Sequence, residues 1–186
     1  MGKKISIDSA TMMNKVFEII EAKNIFGVNY NNLSILVHPT SYIHALIKFK
    51  TGLIKLIAHE TDMKIPIYNT LEDIINKKIF TRKIEIEKLN NLNLQNIDKK
   101  KFPLTNLLKI LPNKISLFET VIVSANDELV NLFLNNKIKF TDISKQLFKI
   151  INNKKFSKFK RISPKNVNQI LKLNNYVRLK INSKSI

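Results

Sequence analysis

Within residues 9 to 18, Ser9, Asn14, Lys15 and Glu18 gather a hydroxyl, a carboxamide, an ammonium and a carboxylate. The first three can all donate hydrogen bonds to phosphate oxygens, and the N-terminus of a helix beside them favours negative charge. Glu18 follows Asn14 by one helical turn on the same edge. A hard divalent cation takes such a carboxylate, since Mg2+ typically binds one or two carboxylates together with waters and substrate oxygens. Phosphate and metal donors one turn apart describe a sugar-phosphate pocket. An ordinary helix cap followed by a solvated Lys15–Glu18 pair at i,i+3 accounts for the same spacing, and the residue types alone leave both readings open.

The elements that must position these groups can be read from periodicity. Asp8 or Ser9 is expected to cap a helix running to about Phe26, with Gly27 as its left-handed stop. At 100° per residue Met12, Met13, Val16, Phe17, Ile19 and Ile20 share one arc, and the polar residues share the other. Strand-like runs follow at Leu33 to Val37, Tyr42 to Phe49 and Leu53 to Ala58, the last two joined by Lys50-Thr51-Gly52 as a hairpin. Period two sets His44 on the face opposite Ile43, Ala45 and Ile47, looking out from the sheet. Beyond Asp62 the pattern turns helical. Helices are expected over Ile67 to Asn76 after Pro66, Leu104 to Leu111, Ser116 to about Asn135, from a Thr141 cap, and from Ser163-Pro164.

The fold class expected is α+β: an incomplete catalytic domain of helix plus antiparallel strands, followed by a helical bundle. The expected boundaries are 1–80 for the first piece, 81–101 for a polar linker with a short extended piece at Lys83 to Ile86, and 102–186 for the bundle. A chain of 186 residues buries roughly 70% of its unfolded surface, enough for a real core. No stretch approaches the roughly 20 apolar residues of a membrane span. The absence of cysteine excludes disulfides and thiolate metal sites. With neither a signal-peptide core nor a transit segment at the N-terminus, a soluble cytoplasmic protein is expected.

Lys and Arg number 32 against 14 Asp and Glu, a net charge of +18. Clustered cations bind nucleic-acid phosphates by releasing counterions. Here, however, Lys, Asn and Ile crowd every segment, as an AT-rich coding sequence would produce whatever the function. After Asp142 no acidic residue occurs, while the last 44 residues carry 12 Lys or Arg. Phe156 and Phe159 form no regular stacking platform there, so a nucleic-acid partner is the weaker reading of this tail.

The run KKISIDSATMMNK followed by IIEA, then HPTSYIH and TDMKIPI, resembles the C-terminal half of 1-deoxy-D-xylulose 5-phosphate reductoisomerases, strongly over the first 70 residues and more loosely through SANDELVNLFLNNKIKFTDI. The resemblance implies an NADPH-dependent enzyme of non-mevalonate isoprenoid biosynthesis that uses a divalent metal, Mg or Mn. By position, it implies that Ser9, Asn14 and Lys15 hold the substrate phosphate, and that Glu18 ligates the metal and contacts the sugar. It further implies that Gly2 and Met63 approach the NADPH, and that Glu18 and His44 are catalytic, His44 as a histidine near the catalytic centre. His38 reads as structural. The family is homodimeric, and its other metal ligands, in an Asp-Ser-Glu segment, and its glycine-rich NADPH-binding half are expected outside these residues. The chain alone is therefore expected to be inactive, as a piece of the full enzyme or as a split or relic subunit acting as a binding module. Three departures stand out: Val16 where the family usually has Gly, AHETDM in place of a Gly-containing approach to the Met, and SANDE for the usual Asn-Ala-Ala-Asn-Glu.

Overall fold

The computed structural model describes residues 2–71, 79–83, 85–90 and 92–183. Contacts divide the chain into two compact units that do not follow sequence order: Met1–Ser34 joins Asp98–Ile186, and Ile35–Ile97 stands as the second. The expected division at residues 80–100 therefore gives way to one in which the first helices belong with the bundle.

In the first unit, helices α1 (Lys3–Ala10) and α2 (Met13–Phe26) are followed, after the second unit, by a 3₁₀ stretch Pro103–Lys109 and helices α5 (Leu117–Leu134), α6 (Phe140–Asn152), α7 (Lys154–Ser157) and α8 (Val167–Asn182). Helix α5 is the axis of this unit. Its residues Phe118, Val121, Ile122, Ala125 and Leu129 are fully buried, and α1, α6 and α8 pack around it. Ile143, Leu147, Ile150 and Ile151 on α6, and Leu173, Val177 and Ile181 on α8, repeat at three- and four-residue intervals and turn one stripe of each helix inward. Met13, Val16, Ile19 and Ile20 do the same on α2, so the bulk that Val16 adds is taken up inside the core.

Two polar contacts fasten the end of α2 to α5. The buried Lys23 ammonium lies 3.4 Å from Glu119 Oε1, and the Tyr30 hydroxyl donates to the same oxygen at 3.0 Å. Gly27 ends α2 at φ +64°, a left-handed conformation that costs a residue with a Cβ roughly 1–2 kcal/mol. Other helix starts shift from their expected places. Lys139 rather than Thr141 occupies the cap position of α6, and the Asp142 carboxylate accepts its N–H at 3.0 Å. Asn166 caps α8 because Ser163 is occupied elsewhere, donating its hydroxyl to the Ile115 carbonyl at 3.1 Å. Ser116 caps α5 as expected, accepting from the Phe118 N–H.

The second unit contains β1 (Leu36–Val37), β2 (Ile43–Lys48), β3 (Ile54–Ala58), α3 (Lys64–Asn69), α4 (Ile86–Asn90) and β4 (Gln95–Asn96). Strands β2 and β3 form the expected antiparallel hairpin, turning at Gly52 with φ +88°, and β1 pairs antiparallel with β4. The segment expected as a linker thus supplies a helix and a paired strand. Residues 72–76 of the expected Ile67 to Asn76 helix lie outside the described residues, as does residue 84 of the extended piece, and Ile86 opens α4 instead. Both faces of the hairpin are largely exposed, so the expected alternation does not sort into a buried and a solvated side. Among the described residues no helix is long and apolar enough to cross a membrane.

Two measurements check this packing. Phe118→Ala is expected to cost about 3–5 kcal/mol in urea unfolding, because it empties a site fully enclosed by the bundle, whereas Phe80→Ala, at an exposed side chain, should leave the midpoint unchanged. Burial, then the charge and hydrogen bond of Glu119, hold the Tyr30 phenol well above its ordinary 10.0. A raised folded-state value means that the folded chain keeps a proton the unfolded chain loses. Stability from this group is whole below pH 10.0 and is lost as pH climbs beyond it. Tyr30→Phe should remove that part of the alkaline decline.

Candidate functional site

The single helix expected from Asp8 or Ser9 to Phe26 is broken. Asp8 and Ser9 lie inside the last turn of α1, and α2 begins only at Met13. The Thr11 hydroxyl closes α1 by donating to the Ile7 carbonyl at 3.0 Å, and Met12 then turns the chain through φ +59°. Non-glycine residues rarely adopt that conformation, and one that does is held there by its surroundings. Asp8 is unavailable as a cap because its carboxylate is used elsewhere. It is 3% exposed, accepts from Asn126 Nδ2 at 2.8 Å and pairs with Lys4 Nζ at 2.7 Å.

The break has a chemical consequence. The first helical bond of α2 runs from the Val16 N–H to the Met12 carbonyl at 3.4 Å, leaving the N–H groups of Met13, Asn14 and Lys15 without partners inside the helix. These N–H groups and the positive end of the helix dipole share the turn that carries the Asn14 and Lys15 side chains. Ser9 is half-buried one short loop earlier. Asn14 Oδ1 is buried and makes no hydrogen bond to another protein group, an arrangement that costs free energy. Lys15 Nζ donates to both oxygens of Glu18 at 3.0 Å, with the two side chains 42% and 55% exposed. Pairs this exposed contribute roughly 0–1 kcal/mol, so a ligand can part them cheaply.

Around Asp8 the charges form a chain across three helices. Lys4 Nζ also meets Asp127 Oδ1 at 2.8 Å, and Arg178 on α8 meets Asp127 Oδ2 at 2.9 Å and Glu128 Oε2 at 3.6 Å. Burial by itself lowers the affinity of Lys4 for its proton, but the hydrogen bonds and charges of Asp127 and Asp8 outweigh it and leave the ammonium above its usual range.

Of the residues expected to form the site, Asn14, Lys15 and Glu18 lie on α2, with Lys15 and Glu18 paired, and Ser9 lies on α1; Asp8 was expected as a helix cap, and Asn126 and Arg178 had no expected part. A polar Asp-Ser pair preceding Thr-Met-Met carries no local sign of a partner 118 residues away. Gly2 also belongs to the first unit, exposed at the start of α1 with no atom within 4 Å of where a Cβ would stand.

His44 and Met63 belong to the second unit. The register of β2 on β3 shifts between Ile43 and Ala45, so His44 occupies a bulge, a device that re-aims a side chain. Its ring stacks on His59 at 3.7 Å and 7°, and its Nε2 lies 3.1 Å from the His59 carbonyl. Met63 is exposed at the cap position of α3, lining an open groove of about 910 Å3 with Tyr68, Phe80 and Arg82. His38 is structural as expected: its Nδ1 accepts from the Tyr42 and Ile43 N–H groups at 3.1 and 3.2 Å.

No group of three or more His, Asp or Glu able to hold a metal occurs among the described residues. Glu18 fits as one carboxylate ligand of a shared site and does not make a site alone. The chain's glycines, Gly2, Gly27 and Gly52, form no dinucleotide-binding fingerprint.

Comparison with known proteins gives a consistent picture. Residues 59–180 match the family model described as the DXP reductoisomerase C-terminal domain, and residues 1–26 match a 1-deoxy-D-xylulose 5-phosphate reductoisomerase C-terminal domain model. The chain is 59% identical over all 186 residues to the 1-deoxy-D-xylulose 5-phosphate reductoisomerase of Pelagibacter ubique, covering 48% of that protein. It is 41% identical over 145 residues, 78% of the chain and 39% of the relative, to that of a Sulfurihydrogenibium strain. Among solved structures, the Zymomonas mobilis enzyme in complex with NADPH superposes with a TM-score of 0.81 at 30% identity, over 97% of this chain and 46% of that one. A DOX-P reductoisomerase in complex with NADPH, fosmidomycin and magnesium gives 0.86 at 28%, over 99% and 46%. The chain thus spans about half the length of the relatives it matches.

The geometry separates two kinds of residue. Lys15→Met and Glu18→Gln should change unfolding stability by less than about 1 kcal/mol, as for exposed pairs. Asp8→Ala should cost about 1–3 kcal/mol, because it leaves the Asn126 amide buried without an acceptor. Equal losses in all three variants under chemical denaturation would contradict the assignment.

Proposed function

The chain belongs to the 1-deoxy-D-xylulose 5-phosphate reductoisomerase family, and from that premise we propose that it supplies the sugar-phosphate and metal-carboxylate part of an enzyme that converts 1-deoxy-D-xylulose 5-phosphate to 2-C-methyl-D-erythritol 4-phosphate. The observation that carries this reading is the turn at Met12: open N–H groups, an unpaired buried Asn14 oxygen and an easily parted Lys15–Glu18 pair, all within the motif that carries the family resemblance.

When bound, Mg2+ or Mn2+ would supply Lewis-acid polarisation and NADPH would supply a hydride. The chain's own residues bind and orient. The Ser9 hydroxyl, the Asn14 amide and the Lys15 ammonium donate to the substrate phosphate, assisted by the positive end of α2. A half-turn of the Asn14 amide presents its NH2 where the oxygen now lies. As Lys15 turns to the phosphate it releases the Glu18 carboxylate, which becomes available to the cation and to a sugar hydroxyl. One binding event therefore prepares the other. His44 is proposed as a catalytic-centre histidine, its ring held in orientation by the His59 stack and carbonyl. Gly2 and Met63 are proposed to contact NADPH, Gly2 because it offers backbone without a side chain and Met63 because it presents an exposed thioether. The remaining metal ligands and the dinucleotide-binding domain would come from residues outside this chain. The full enzyme is proposed to work as a homodimer in the cytoplasm.

A chimera tests the reading. Replacing the matching half of the Pelagibacter ubique enzyme with these 186 residues should give NADPH oxidation dependent on 1-deoxy-D-xylulose 5-phosphate, while the 186-residue chain alone should give none. In the chimera Lys15→Met should raise the substrate KM at least about tenfold, consistent with loss of a charge-assisted hydrogen bond, and Glu18→Gln should lower kcat. A folded chimera without turnover would refute the proposal.

A further inference from the structure

The strongest feature that the proposed chemistry leaves unused is the buried contact between Asp8 and Asn126. Asn126 is fully enclosed, its Nδ2 donates to Asp8 at 2.8 Å, and its own Oδ1 makes no hydrogen bond. An apolar side chain at both positions would fill the same volume without stranding a carbonyl oxygen, so packing stability does not account for the pair. What the pair does supply is direction. The Asp8 carboxylate is adjacent in sequence to Ser9, and it is fixed from two sides, by the Asn126 amide on α5 and by Lys4, which pairs in turn with Asp127, itself paired with Arg178. Immediately beyond stands Met12 in a conformation that must be imposed by its surroundings, and only that turn separates Ser9 from Asn14 and Lys15.

We propose that Asn126 is a positioning residue for the phosphate-binding turn: through Asp8 it fixes the end of α1, and so the separation of Ser9 from Asn14 and Lys15. The inference rests on the phosphate role proposed for Ser9, Asn14 and Lys15, but its structural half can be measured without any ligand.

Amide hydrogen exchange on the 186-residue chain provides that measurement. Asn126→Leu should speed exchange at the Thr11, Met12 and Val16 N–H groups, which close the turn, at least tenfold, while α8 amides change by less than twofold. Leu129→Ala, a core truncation on the same helix, should instead raise exchange evenly. The double variant Asp8→Asn with Asn126→Asp, which reverses donor and acceptor across the contact, should restore slow exchange at the turn. Uniform acceleration in Asn126→Leu, an unchanged turn, or no rescue by the double variant would each overturn the proposal. In the chimera, Asn126→Leu should raise the substrate KM about tenfold with kcat within threefold, and the reversed pair should recover it. A fall in kcat at constant KM would likewise count against positioning. A wild-type chimera without turnover refutes the phosphate reading separately, because the exchange result stands on its own.

Discussion

Helix α5 presents two buried polar groups to the start of the chain, and the arrangement of the first unit depends on them. Glu119 and Asn126 are seven positions apart, two helical turns, and so share a face of the helix. Glu119 receives Lys23 and Tyr30 near the end of α2; Asn126 receives Asp8 at the end of α1. Glu119 has two partners far away in sequence and Asn126 has one, and a slip of either helix by a single turn would separate them. Apolar packing alone would tolerate several such slips. The polar pair selects one.

That selection explains why the compact units ignore sequence order. Residues 2–34 are held to the bundle by hydrogen bonds spanning 83 to 118 positions, whereas the second unit is closed by a hairpin and by the pairing of β1 with β4. Loop-closure entropy grows only slowly with length, so inserting 63 residues between α2 and the bundle costs little once the buried contacts form. The proposed phosphate-binding turn accordingly lies on the better-packed of the two frameworks.

Much of this was legible in the residues. Side-chain type and spacing offered Ser9, Asn14, Lys15 and Glu18 either as a phosphate and metal clamp or as a helix cap with a solvated pair, and α5, α6 and α8 announce themselves by apolar periodicity. The hairpin was equally plain from Gly52 between two alternating runs. What could not be read locally was the break at Met12. Thr-Met-Met carries no Gly, Pro or Asn to mark a turn, and the partner of the adjacent Asp8 lies on another helix. The same blindness moved two helix starts: Ser163 looked like a cap until the structure gave its hydroxyl to Ile115, and Thr141 gave way to the Lys139 backbone paired with Asp142. The bulge at His44 also escaped, since alternation fixes a face but not an extra residue in the ladder.

The most direct test of the proposed role is a crystal structure of the chimera with fosmidomycin and magnesium, the ligands found together on a solved relative. The account predicts phosphonate oxygens within hydrogen-bonding distance of Ser9, Asn14 and Lys15, Lys15 parted from Glu18, and a Glu18 oxygen on the metal. A ligand seated away from the Met12 turn, or a Lys15–Glu18 pair left intact beneath it, would contradict that account.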